Sequence, residues 1–304
     1  MYKIILALLL AMMAACGTLI YGYNFAKYYL HNTNFEIPFG IFLAIVGAGA
    51  NIVLGTFSLL KIHTGPVKYP LSIFILIISV FSTIPIGCIC FFGYQSVIPI
   101  QINIAMSFIV VIVNIAINYT AVQYFIKDVI TIDRKNKIIS NPTKNTIIIV
   151  LGYLIGSIVA LAPFLATTAG ANDILLHYKL DNLYKYNVAI IIGILSVLPL
   201  ACLYSHTTNA ILGHLLKFFQ KAFKGGVKIN SYHIAIFIFC LFSGAALAET
   251  MREFILPDKN IPILFKTEFM KLISYILIFL AWFVSTSTTF YCLNDLLKNR
   301  FSNK

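Results

Sequence analysis

The chain has 304 residues, of which 60% are hydrophobic and 11% charged, against roughly 45–50% and about 25% in soluble domains. The net charge is +12, with a pI near 9.4 and a mean hydropathy of +0.91. These values exclude an ordinary soluble enzyme or nucleic-acid-binding domain and predict an all-α polytopic transmembrane bundle, one integral membrane domain over residues 1–304.

Apolar runs long enough to cross a bilayer occur at about 4–23, 39–60, 70–93, 101–126, 146–169, 187–205, 233–251 and 272–292. In the first, MAACG (Met13 to Gly17) resembles a lipoprotein cleavage box with Cys16 as acceptor. Met13 stands where Leu is usual, and the apolar run continues past the box through Tyr21, so an uncleaved first span is expected.

The second run carries Gly47, Asn51 and Gly55 at intervals of four, with Ala44 and Ser58 continuing the face. Small residues at this spacing let helices approach closely. The third holds Pro85, Cys88 and Cys90, and the short stretch from Tyr94 to Ile100 turns it into a hairpin with the fourth.

The fourth run reads NIAMSFIVVIVNIAIN over residues 103–118. At about 100° per residue, Asn103, Ser107, Asn114 and Asn118 fall in one narrow stripe. An unpaired amide in hydrocarbon costs several kcal/mol, so the stripe is expected to face the bundle. Asn51 and the cluster Ser285, Thr286, Ser287, Thr288 and Thr289 of the eighth run are its expected partners. The stripe serves either as interhelical glue or as the lining of a polar pathway.

The fifth run repeats the small-residue pattern at Gly152, Gly156 and Ala160, and prolines 163 and 199 invite kinks in the fifth and sixth. A basic amphipathic helix is expected at about 209–224, lying on the membrane or extending the sixth span, with Gly225 and Gly226 ending it. In the seventh, Glu249 is the deepest acid of the chain, and Arg252 lies within reach of it one turn on. The pair is either a local salt bridge or a candidate ion- or proton-binding site.

Placing the N-terminus in the cytoplasm puts fifteen basic and three acidic residues inside, and seven of each outside. The excess charge is thus a topology signal. It predicts both termini in the cytoplasm, a cell (inner or plasma) membrane location and attraction of the inner face to anionic lipids, with no nucleic acid as partner. The six cysteines show no CxxC spacing, and the six histidines sit near span ends with no mid-span ligand for haem. His206 and its fellows are expected to be packing residues. No nucleophile elbow, HExxH, Walker loop or GxGxxG occurs, so no catalytic residue, metal or cofactor is expected, and the chain is not expected to be an enzyme.

Without its first span the chain resembles the rhodopsin-like receptors, on Gly49, Asn51, Asp133-Arg134, Pro163, Pro199, Phe237 and Cys240. It departs from them at Ser79, Leu241, Ser243 and Ser287-Thr288, and it lacks both the outer disulfide pair and a lysine in the last span for a retinal Schiff base. The leading expectation is a transporter or channel-like protein for a small neutral or cationic solute. A non-catalytic structural or assembly subunit, with a membrane-protein partner, comes second. A degenerate seven-helix receptor with a cleaved signal comes third. Reporter fusions test the topology: those at Asn141 and Gly226 are expected to read cytoplasmic and one at Asp181 external. An external reading at Asn141 would invert the assignment.

Overall fold

The computed structural model describes residues 2–29, 36–62, 69–94, 98–136, 143–161, 164, 167–168, 171–172, 175, 182–222, 231–255 and 268–301. Among these there is no strand. The long helices are α1 (Tyr2–Tyr29), α2 (Glu36–Lys61), α3 (Tyr69–Tyr94), α4 (Ile100–Asn136), α5 (Thr143–Val159), α6 (Asn182–Ala222), α7 (Ser231–Ile255) and α8 (Glu268–Phe301). Each apolar run of the sequence falls on one of them, the fifth only as far as residue 159.

Five are long and apolar enough to span a membrane: α2 over Ala44–Lys61, α3 over Leu71–Phe92, α4 over Ile100–Lys127, α6 over Asn187–Leu215 and α8 over Lys271–Leu297. Helices α1, α5 and α7 carry the shorter apolar stretches Tyr2–Cys16, Val150–Val159 and Ile234–Ala248. By length and composition the chain is a multi-pass membrane protein.

Side-chain placement follows the same solvent logic. Helix α3 exposes Ile73, Phe74, Ile77 and Phe81 while burying Ser79, Ser82 and Thr83. Water would impose the opposite arrangement. A helix satisfies its own backbone groups, so only side chains decide which face meets lipid.

The helices form four hairpins around one axis. Helix α1 packs on α2 and α4, α3 on α4 and α6, α5 on α6 and α8, and α7 on α8 and α2. The even-numbered helices also meet in a closed cycle, α2 with α4, α4 with α6, α6 with α8 and α8 with α2. Each hairpin therefore gives its second helix to an inner ring, while its first helix covers the joint with the next hairpin.

Small residues make the joints close. Ala7, Ala11 and Ala15 of α1 are buried at intervals of four. A Cβ added at Gly55 of α2 would lie 3.1 Å from the Ala11 Cβ and 2.9 Å from Val113 Cγ1 of α4. On α5, a Cβ at Gly152 would lie 3.0 Å from the Asn209 Cα of α6, and one at Gly156 only 2.6 Å from the Ser205 Cα. Helix α8 comes equally near α7, where a Cβ at Gly244 would lie 2.6 Å from the Trp282 carbonyl oxygen.

The fifth run was expected to continue to residue 169; α5 ends at Val159, and of the described residues beyond it 161, 164, 167 and 168 are again helical, with the Phe164 N–H donating to the Ala160 carbonyl at 3.1 Å. Of the two arrangements expected for the basic amphipathic segment, it is the extension of the sixth run that occurs: α6 runs unbroken for 41 residues, through Pro199. At 1.5 Å per residue it is about 60 Å long, twice the roughly 30 Å hydrocarbon core. Helix α1 is also continuous through Cys16.

Two glycines give a matched test. Gly156→Ala pushes against backbone and is expected to lose about 1–3 kcal/mol of stability. Gly213 of α6 has nothing within 4 Å of an added Cβ, so Gly213→Ala should be neutral or stabilising by up to about 1 kcal/mol. Unfolding of the purified variants in detergent reads the difference, and equal stability would contradict the close α5–α6 crossing.

Candidate functional site

The α4 amide stripe is turned toward α3. Asn103, fully buried, donates from Nδ2 to the Phe91 carbonyl at 2.8 Å. Its Oδ1 accepts from Ser107 Oγ at 3.3 Å. Asn118 Nδ2 lies 3.0 Å from both Ser82 Oγ and Thr83 Oγ1. Asn114 is half-buried and donates to the Val110 carbonyl of its own helix at 2.9 Å.

The expected partners, Asn51 and the α8 hydroxyl cluster, are therefore corrected for Asn103 and Asn118. The reason is the hairpin. At the start of α4 the Pro99 carbonyl accepts from the Asn103 N–H at 3.0 Å, and only residues 95–99 separate α3 from α4, so the two helices lie side by side. Helical periodicity gives the angle of a face but not the helix it meets.

The remaining candidates lie elsewhere. Asn51 is half-buried on α2. Ser285 is half-buried on α8, and its carbonyl accepts from Thr289 Oγ1 at 3.0 Å. Thr288 is buried, with its Oγ1 2.7 Å from Thr207 Oγ1 of α6. Arg252 is half-buried on α7, while the Glu249 side chain lies outside the described residues.

A second cluster sits where the even-numbered helices approach their C-terminal ends. Phe57 of α2, Tyr124 of α4, His206 of α6 and Tyr291 of α8 form a closed ring of aromatic contacts. Successive centroid separations are 6.1 Å for Phe57–Tyr124, 4.9 Å for Tyr124–His206, 5.3 Å for His206–Tyr291 and 6.2 Å for Tyr291–Phe57. Each residue lies in the last third of its helix's apolar stretch, so the four helices run in the same direction around the axis.

Polar contacts tie the same level together. His206 Nε2 and the Tyr291 hydroxyl are 3.3 Å apart, the ring tautomer deciding which donates. Thr120 Oγ1 donates to the Ser58 carbonyl at 3.3 Å, joining α4 to α2. Lys61 Nζ is 2.9 Å from Asp295 Oδ2, joining α2 to α8, with side chains 22% and 34% exposed. The Lys61 ammonium also lies 5.9 Å from the Phe57 ring centroid, and that of Lys127 lies 5.8 Å from the Tyr124 centroid. Cations over ring faces are attracted by the quadrupole.

Val113, Ile117 and Ala121 of α4 and Leu203 of α6 form a buried apolar cluster, with Leu54 of α2, Leu200 of α6 and Leu10 and Ala14 of α1 packed against it. Among the described residues no three His, Cys, Asp or Glu side chains gather as a metal site requires.

The sequence reading assigned His206 to packing and missed the ring, whose members are far apart in the chain on four different helices. One signal was present. Asn51, Asn118 and Ser285 each stand six residues before a ring member, Phe57, Tyr124 and Tyr291. Comparison with known proteins adds nothing to this geometry: no protein-family model, curated protein or solved structure matches the chain.

Asn118→Leu removes both bonds to α3 while nearly keeping volume. At about 0.6 kcal/mol per interhelical bond in membranes, it should destabilise by roughly 1 kcal/mol. Thermal unfolding of the purified variant reads this. A variant as stable as the parent would show that the α3 contacts contribute nothing.

Proposed function

We propose that the chain crosses the cell membrane eight times, with both termini in the cytoplasm, and passes a small neutral or cationic solute along the axis enclosed by α2, α4, α6 and α8. The topology rests on the charge distribution: the basic excess falls on the loops that one side would share. Anionic lipid headgroups would meet that side.

The pathway rests on one observation above the others. Four hairpins surround a single axis, and at one level of it they bring together Tyr124, His206, Tyr291, Thr207 and Thr288 from three different inner helices. Hydroxyls and an imidazole at the centre of a membrane bundle can replace part of a solute's hydration shell. Ile117 and Leu203 then act as an apolar constriction of the kind that closes pores by excluding water. The path is thus moved from the α4 stripe to the inner ring, because the Asn103 and Asn118 amides bond to α3.

Those same bonds favour the second reading, a non-catalytic structural or assembly subunit. An amide stripe used as hairpin glue needs no solute to explain it.

The two readings part at Ile117→Ser. A hydroxyl in the constriction favours its hydration, so liposomes containing this variant should leak small ions or neutral solutes well above the wild-type rate. A folded Ile117→Ser protein that leaves the liposomes tight would remove the pathway and leave the assembly role.

A further inference from the structure

We propose that the Lys61–Asp295 ion pair and the aromatic ring beside it form the cytoplasmic gate of the axis, which opens by moving the C-terminal end of α2 away from α8. The proposal rests on the pathway reading above and adds where and how the path closes.

The inner ring has four joints, and they are not equivalent. At the C-terminal ends of the even-numbered helices, the chain itself links the first hairpin to the second through residues 62–68. It links the second to the third through 137–142 and the third to the fourth through 223–230. No such linker joins the fourth hairpin to the first. That joint is the one between α8 and α2.

Its contacts are also divided by level. Away from the aromatic ring, α7 holds α2 through apolar packing. The Phe42 and Phe242 rings stand edge to face at 5.7 Å, and a Cβ added at Gly47 would lie 3.4 Å from the Ala246 Cβ. At the ring level the joint has the Phe57–Tyr291 contact, whose 6.2 Å is the widest of the four, and the ion pair. The neighbouring α6–α8 joint has instead a buried hydroxyl pair at 2.7 Å and the His206–Tyr291 contact at 3.3 Å.

The ion pair suits a contact that must break. Both side chains reach solvent, so water can take over either charge when they part. The ammonium is held between the Asp295 carboxylate and the Phe57 ring. When α2 swings outward it carries Lys61 and Phe57 together, since they lie one turn apart on the same helix. One movement then removes both a wall of the aromatic ring and the bond across it, while the α7–α2 packing serves as the pivot.

Thiol accessibility in nanodiscs tests this without any solute. Thr207 is fully buried beside the ring and serves as the reporter position through Thr207→Cys. Labelling by a charged, water-soluble methanethiosulfonate is followed peptide by peptide by mass spectrometry, so the native cysteines stay in place. Native Cys292, next to Tyr291 and 0% exposed, is a second reporter that needs no substitution of its own.

With the ion pair intact both thiols should label slowly. Asp295→Asn should raise their rates about tenfold, as expected when a minor open state becomes substantially populated. Exchanging the charges, Lys61→Asp with Asp295→Lys, should restore protection. Equal rates in all three chains, or a charge exchange that stays exposed, would overturn the gate. Tight liposomes in the leak assay would instead overturn the pathway, whatever the labelling shows.

Discussion

A hydroxyl or amide that meets hydrocarbon without a partner costs several kcal/mol, and most of the arrangement described here follows from that cost. Ser79, Ser82, Thr83, Asn103, Asn118, Thr120, Thr207 and Thr288 are all buried, while Phe74, Phe81, Phe108 and Leu198 face outward. Four of the buried hydroxyls, those of Ser79, Ser82, Thr83 and Thr207, donate to carbonyls one turn back on their own helix. Others reach across: Asn118 to α3, Thr120 to α2, and Thr288 to Thr207. The second group fixes which helices are neighbours and at what height.

Close approach is the other half of the same economy. Lipid tails are as apolar as leucine, so burying leucine against leucine does little to hold membrane helices together. Contact area must come from short distances, and these come from Gly55, Gly152 and Gly156 at the crossings. The resulting hairpins repeat one relation four times around the axis. Repetition brings equivalent heights of α2, α4, α6 and α8 to the centre, and so places four aromatic side chains in one ring. The ion pair lies at the joint where this repetition starts and ends.

Much of this was legible from residue order. The eight apolar runs mark the eight long helices, five of which are long and apolar enough to span a membrane. Burial of Asn103, Ser107 and Asn118 follows from their common stripe. What periodicity could not supply was the neighbour. Asn118 bonds to Ser82 rather than to Asn51 because the turn near Pro99 decides which helix lies alongside. Asn114, on the same stripe, bonds to its own backbone. His206 looked like an isolated residue at a span end, and its partners Tyr124 and Tyr291 belong to helices that only the tertiary fold brings near. A site assembled from one side chain per helix leaves no local motif.

The central claim is that α6 and α8 touch each other directly on the axis, with α7 outside them. Thr207→Cys with Thr288→Cys tests it, because the two native hydroxyls are 2.7 Å apart and sulfurs in their place can join. Mild oxidation in the native membrane, read by a gel shift after proteolysis between the helices, should give an intramolecular disulfide in high yield. Reduced protein, or disulfides formed only between chains, would contradict the inner ring and the axis built on it.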